Sequence, residues 1–301
     1  MKIRNAYSMW FLLPAMAVFL LFFMLPNILN LFFGFTDWSV YNITTLHWIG
    51  LENFRDMLKE PLMLLSIKNT FIFTFATTIL SNIIGFFLAL ALDSKIRLRG
   101  LFRNVFFIPT TLSVMVVAPI FSALYDPNHG PINVALRAIG LNSLAVPWIT
   151  DPAYAMIGIV VMSLWSGIGI TMLLYLTGMQ SLSKEYFEAG IIDGCNFWQK
   201  ATRITIPLIM PAVTVNLVLS LINGLKVFGQ VYALTNGGPN NATQVFGTFI
   251  FQNFSKGLYG YSAAISFAFT LGHLYKHSVT KSAVDIIMEA TAGRVKQDEA
   301  A

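Results

Sequence analysis

The sequence is short of charge and nearly free of cysteine. Only 11% of its 301 residues are Asp, Glu, Lys or Arg, against about 25% in an ordinary soluble domain. That shortage argues against a water-soluble enzyme and against an intrinsically disordered chain, which needs many charges and few apolar groups. Cys195 is the single cysteine, so neither an intramolecular disulfide nor a cysteine-based zinc site can form. No Gly-x4-Gly-Lys-[Ser/Thr] loop is present, so the chain has no phosphate-cradling P-loop of its own. His47, His129, His273 and His277 are scattered. His273 and His277 share a helical i,i+4 spacing, but no carboxylate completes a ligand pattern around them, so no metal site is expected. No nucleic-acid motif accompanies the basic residues. No catalytic constellation stands out, and the chain is expected to carry no bond chemistry and no cofactor.

What the sequence does have is apolar length. Hydrophobic residues make up 56% of it and aromatic residues 14%. A membrane-spanning helix uses roughly 20 apolar residues, and six runs of that kind can be read. They cover about Trp10 to Phe33, Phe71 to Leu92, Leu101 to Leu124, Met156 to Leu176, Pro207 to Leu225, and Tyr259 to Leu274. Only helices and closed barrels satisfy backbone groups in lipid, and the short alternating segments of a barrel are absent. The first run follows Lys2 and Arg4 and is too long for a signal-peptide core, so it is expected to be an uncleaved anchor. The expected fold is therefore all-α, a polytopic membrane protein of about six transmembrane helices.

Lys and Arg set the orientation. Alternate loops hold 13 of the 19 basic residues on one side, with Lys95, Arg97, Arg99 and Arg103 the densest group. That split places both termini in the cytoplasm. Trp10 and Trp38 flank the first run as an interfacial aromatic belt would.

The loop over about 177–206 is unlike the others. Ser183 can cap a helix whose first turns carry Glu185 and Glu188. Gly194 permits a left-handed turn, and a second short helix follows from about Asn196. Pro207 ends that helix or opens the next span. Tyr186, Phe187, Ile191, Ile192, Phe197 and Trp198 are too many apolar side chains for a free solvated loop. The membrane surface or a partner protein must cover them.

The spacing within this loop is specific. Glu188-Ala189-Gly190, three residues, Gly194, nine residues, Ile204-x-Ile206-Pro207 closely resembles the Glu-Ala-Ala loop of the inner-membrane subunits of bacterial ATP-binding-cassette importers. Gly190 stands where that family usually has Ala, and Ile206 where it has Leu. Leu13-Pro14, Phe35-Thr36-Asp37-Trp38, Ile49-Gly50-Leu51-Glu52-Asn53-Phe54 and Asn69-Thr70 resemble the carbohydrate branch of these permeases, of the maltose-permease first-subunit type. So do Ala233-Leu234-Thr235-Asn236-Gly237-Gly238-Pro239 and Tyr259-Gly260-Tyr261-Ser262-Ala263-Ala264. The resemblance implies a type I importer permease in a bacterial inner membrane. It implies as partners a dimer of ATP-binding subunits, a second permease, an extracytoplasmic solute-binding protein and a carbohydrate substrate, with membrane lipid around the spans. ATP would be hydrolysed on the separate subunit. By resemblance Glu188, Ala189, Gly190, Asp193, Gly194, Ile204 and Pro207 form the element that docks on the ATPase.

Polar residues within the spans are candidates for a substrate path. Asn216, Ser220 and Asn223 share one face of span five. Thr70, Thr74, Thr78, Ser81, Asn82 and Gly85 form a stripe on span two. Neutral hydrogen-bonding groups suit a sugar, whose hydroxyls must exchange water for protein partners. Helix–helix packing uses the same residue types, and both readings stand at this point. Trp165 could stack on a sugar face. The rival to an importer subunit is a stand-alone secondary carrier or channel subunit, which would need a carboxylate inside a span; Asp93 and Asp126 lie only at span ends. A scaffold role would leave the loop spacing unexplained.

The resemblance lapses after Leu271. Tyr259 to Leu274 is only 16 residues, short for a span, so span six is expected to be compromised or supported by a partner. Residues 1–275 then form the permease domain and 276–301 an atypical polar cytoplasmic tail, in which Ser282 to Arg294 can make a modest helix.

Overall fold

A computed structural model describes residues 12–94 and 97–270. Among these residues the chain is all-helical, with a single isolated bridge between Thr36 and Trp48. Helix α1 covers Leu12–Gly34, α2 Glu52–Lys59, α3 Pro61–Asp93, α4 Arg99–Thr111, α5 Val114–Leu124, α6 Pro131–Ala138 and α7 Ala155–Gln180. Then follow α8 over Lys184–Ile192, α9 over Phe197–Leu208, α10 over Met210–Leu225, α11 over Gly229–Leu234, α12 over Phe246–Ser255, and α13 over 259–270.

Three of these helices, α1, α3 and α7, are long and apolar enough to cross a membrane singly. The third and fifth expected spans are not straight helices. The α4–α5 pair bends by 104° and the α9–α10 pair by 78°. At the first break Leu112 and Ser113 are extended, and the Ser113 hydroxyl caps the new helix by accepting from the Met115 amide. Pro119 sits inside α5 without ending it. At the second break Ile209 leaves helical geometry (φ −95°, ψ 16°), and Pro211 occupies the first turn of α10. Span five therefore starts at Met210, and Pro207 belongs to the helix before the break rather than opening the span.

Span two also differs. Helix α3 begins at Pro61, ten residues before the expected Phe71. Pro is preorganised for a helix start, and the polar residues Ser66, Lys68, Asn69 and Thr70 do not interrupt the helix. At 33 residues its length is about 50 Å, well beyond the bilayer core. The expected continuation of span six past 270, and the tail over 276–301, lie outside the described residues.

The described chain divides into two compact units, 12–63 with 250–270 and 64–249. In the first, the segment after α1 is pinned by Asn53, whose Nδ2 donates to the carbonyls of Gly34 (3.0 Å) and Thr36 (2.8 Å). Trp48 stacks on Phe35 at 5.3 Å. A Cβ on Gly34 would stand 3.2 Å from the backbone of Ala264, so α1 and α13 touch where only glycine fits comfortably. The side chains of α1 over 12–19 are all exposed, which for so apolar a helix means that lipid or another chain is its solvent.

The second unit is built on α3 and α7. Ala89, Leu92, Met172, Tyr175, Leu176, Met179 and Ile209 form one buried cluster. Close approach is again set by small residues: a Cβ on Gly85 would meet the Thr171 side chain at 2.8 Å, and one on Gly224 would meet Thr74 Cα at 2.9 Å. Two segments that carried the resemblance meet here. Asn69 Nδ2 donates to the carbonyls of Ala242 (3.0 Å) and Gln244 (2.9 Å), and the Phe246 amide donates to Thr70 Oγ1 at 3.0 Å. The Asn69-Thr70 pair thus clamps the chain that follows the Asn236-Gly237-Gly238-Pro239 turn.

Candidate translocation cleft and coupling elbow

Within the second unit a cleft of about 440 Å³ opens between α3, the α4–α5 bend, α7, α10 and α11. Helix α3 contributes Phe73, Thr77 and Ser81, spaced four apart and so on one face. Thr110, Leu112 and Val114 come from the α4–α5 bend, Ser163 and Ser166 from α7, Ser220 and Asn223 from α10, and Lys226, Phe228 and Gln230 from the chain beyond it. The break at Leu112–Ser113 therefore has a use: it brings Thr110, Leu112 and Val114 to the cleft wall.

Most hydroxyls in the wall donate to their own helix. Thr77 donates to the Phe73 carbonyl (2.8 Å), Thr110 to Phe107 (2.7 Å), Ser163 to Ile159 (2.8 Å) and Ser166 to Met162 (3.1 Å). Their oxygens keep lone pairs free to accept from a ligand. Asn223 and Gln230 can both donate and accept. Among the described residues no Asp or Glu lines the cleft.

The expected path residues separate into two groups. Ser220 and Asn223 line the cleft. Asn216 is buried and donates to the Thr171 carbonyl at 3.4 Å, so it ties α10 to α7. Asn82 is also buried and accepts from the Tyr175 hydroxyl at 2.7 Å, while its Nδ2 donates to the Thr78 carbonyl (2.8 Å) and Ser220 Oγ (3.3 Å). Two expected residues, Asn82 and Ser220, are thereby joined. The stripe at Thr70, Thr74, Thr78 and Gly85 is the packing face of α3, and the cleft face lies beside it. Trp165 packs on Phe121 at 5.4 Å and is not in the cleft. Sequence reasoning misses Ser163, Ser166, Thr110 and Gln230, and counts Lys226 only as an orientation charge. Ser163 and Ser166, three apart in an apolar helix, are the signal that could have found them.

The second candidate site is the elbow between α7 and α10. Ser183 caps α8 by accepting from the Glu185 amide. Asp193 follows the last turn, and Gly194 takes φ +74°, a left-handed value that suits glycine. Asn196 and Gln199 then form a reciprocal capping box at the start of α9. Glu188, Ala189, Asp193, Gly194 and Pro207 are exposed, Ile204 is half-buried and Gly190 is buried. A Cβ on Gly190 would stand 2.5 Å from Ile204 Cδ1, so the two helices of the elbow touch at two positions of the motif. Ile192 is 86% exposed and Trp198 62%. Trp198 also meets Phe87 of α3 edge-on, at 5.9 Å.

Comparison with known proteins gives this architecture its family. Residues 81–280 match the model of the binding-protein-dependent transport system inner membrane component. A Pyrococcus horikoshii protein named a probable ABC transporter permease is 33% identical over 86% of this chain and 89% of its own. The multiple sugar-binding transport system permease protein MsmF of Streptococcus mutans is 31% identical over 88% of this chain and 91% of its own. Among solved structures, a chain of a bacterial ABC transporter that imports the acidic polysaccharide alginate superposes with a TM-score of 0.75 at 23% identity, covering 94% of each chain. The chain belongs to the family of inner-membrane components of binding-protein-dependent transport systems. It is a membrane permease subunit, and the reading as a stand-alone carrier or channel gives way to that membership.

Proposed function

We propose that this chain is one of two membrane subunits of an ATP-driven carbohydrate importer, and that the 440 Å³ cleft is its part of the sugar path. The observation that carries the reading is the cleft wall, in which hydroxyl and amide side chains from α3, α7 and α10 face one space without a carboxylate. A sugar entering it exchanges water for these groups. Phe228, half-buried at the cleft wall, offers apolar surface to a sugar ring. The named sugar systems among the relatives agree with this choice of substrate.

The elbow supplies the coupling. Its exposed apolar side chains and Glu188 dock on a separate ATP-binding subunit, present as a dimer. Closure of that dimer moves α8 and α9, and α9 bears on α3 through Trp198 and Phe87. A solute-binding protein delivers the sugar from outside, and alternating access follows from two docked states of different affinity. In this scheme the chain has six spans with both termini cytoplasmic, and ATP is hydrolysed on the partner.

The test is purification from the native membrane in mild detergent, with mass spectrometry of the proteins recovered. A P-loop ATPase and a second, related permease should co-purify, and the assembly should take up sugar in vesicles when ATP and binding protein are supplied. Recovery of this chain alone or as a homo-oligomer would contradict the assignment.

A further inference from the structure

The cleft carries a charge that a neutral sugar does not require. Among the described residues Lys226 is the only ionisable side chain in its wall. The carboxylates of this unit, Asp93, Asp126, Asp151, Glu185, Glu188 and Asp193, are all absent from that wall. Among the described residues Lys226 forms no ion pair. It follows the last residue of α10, where a cation is favourable beside the helix C-terminus. That role is served by any exposed direction of the side chain and leaves its place in the cleft wall unexplained.

The rest of the wall fits the same ligand. The hydroxyls of Thr77, Thr110, Ser163 and Ser166 are engaged as donors to their own helices, so they meet a ligand as acceptors. Acceptors suit sugar hydroxyls and repel an anion. Donors are concentrated at Asn223, Lys226 and Gln230, close together in sequence. The cleft therefore has a large acceptor surface and one cationic corner. A cleft lined by a single sign of charge concentrates ligands of the opposite sign.

We propose that the cleft passes an anionic carbohydrate, a sugar bearing a carboxylate, whose acid group pairs with Lys226 while its hydroxyls donate to the serine and threonine oxygens. The proposal rests on the carbohydrate reading above and narrows it. One ammonium matches the single negative charge of a uronic acid. It leaves a phosphate monoester, close to −2 at neutral pH, under-neutralised.

The experiment uses the complete importer with its binding protein, reconstituted in vesicles. It compares ATP-dependent uptake of oligosaccharides carrying one uronic acid with that of the same sugars after reduction of the carboxyl to a neutral alcohol. The acidic members should be preferred. Lys226→Met should lower their uptake about tenfold or more, the worth of one charge-assisted hydrogen bond, and Lys226→Arg should retain most of it. Equal or better uptake of the reduced members by the wild-type importer would overturn the proposal and leave the carbohydrate reading standing. So would wild-type uptake of the acidic members by an assembled Lys226→Met importer. ATP-dependent uptake of neither class would overturn both. The wild-type comparison stands whether or not the variant assembles.

Discussion

The Tyr175 hydroxyl donates to Asn82 Oδ1 at 2.7 Å, joining α7 to α3 in the buried part of the second unit. Asn82 passes the connection on to Ser220 Oγ at 3.3 Å, and Ser220 lines the cleft. Near the same level Phe87 of α3 meets Trp198 of the elbow. One helix, α3, therefore touches both the elbow and the cleft through neighbouring residues. Removing Tyr175's hydroxyl leaves Asn82 Oδ1 without that donor. Tyr175→Phe should lower stability by about 1–3 kcal/mol and reduce sugar moved per ATP hydrolysed. Thermal unfolding of the purified assembly and a paired uptake and ATPase assay would check this. Adding Asn82→Leu should restore part of the stability, since apolar replacement of both partners removes the orphaned group. Coupling should not recover with it.

The elbow makes a separable prediction. Gly194 at φ +74° has no room in its backbone conformation for proline, which is locked near −65°. Gly194→Pro should leave membrane insertion intact and uncouple ATP hydrolysis from uptake. Glu188→Lys, at an exposed position, should do the same by reversing a docking charge. Wild-type uptake in both variants would remove the coupling role from this segment.

Two glycines should respond differently to the same change. A Cβ on Gly190 meets only the tip of Ile204, which can rotate aside for about 0.5–1.5 kcal/mol. Alanine in a helix gains about 0.5–1 kcal/mol over glycine, so Gly190→Ala should be close to neutral. A Cβ on Gly224 meets the backbone of Thr74 at 2.9 Å, which cannot rotate. Gly224→Ala should force α10 from α3 and destabilise by about 1–3 kcal/mol. Melting temperatures of the two variant assemblies, measured side by side, decide the point.

The turn after α5 should be sensitive to acid. Asp126 Oδ1 accepts from the amides of His129 (2.7 Å) and Asn128 (2.9 Å). These amides, first that of His129, hold its carboxyl below the usual aspartate range, with the nearby His129 ring adding to the effect. A carboxyl with a lowered folded pKa stabilises the turn above its unfolded pKa. It loses that contribution as pH falls through the folded value. Hydrogen exchange in the peptide over 125–135 should therefore show less protection, after correction for intrinsic rates, at about pH 3 than at about pH 7. Asp126→Asn keeps an acceptor and should abolish that pH dependence.

The elbow is more legible in the amino-acid sequence than the cleft, for a physical reason. The elbow is local: Ser183, Gly194, Asn196 and Gln199 act on residues within a few positions, so the helix start and the turn follow from residue order alone. The cleft depends on which face of each helix meets its neighbours. On α3 two adjacent faces both carry hydroxyls. Thr70, Thr74 and Thr78 are chemically as suitable as Thr77 and Ser81, and only packing of α3 against Gly224 and Thr171 decides between them. The bends are hidden because Leu112 and Ile209 are ordinary apolar residues, while the prolines beside them sit in the flanking helices. Lys226 is legible as a charge but not as part of a wall, because its neighbours there come from helices far away in the sequence.

The central claim is that the cleft between α3, α7 and α10 is a water-filled sugar path. The single cysteine makes it directly testable. In an assembled importer carrying Cys195→Ser, Ser220→Cys and Asn223→Cys can be introduced one at a time and treated with a membrane-impermeant thiol reagent. Both should be labelled, and saturating sugar-loaded binding protein with ATP trapped before hydrolysis should slow the labelling. Ile72→Cys, on the exposed apolar side of the same helix as Thr77, should stay unlabelled. Failure of both cleft positions to react in an importer that still transports sugar would contradict the account.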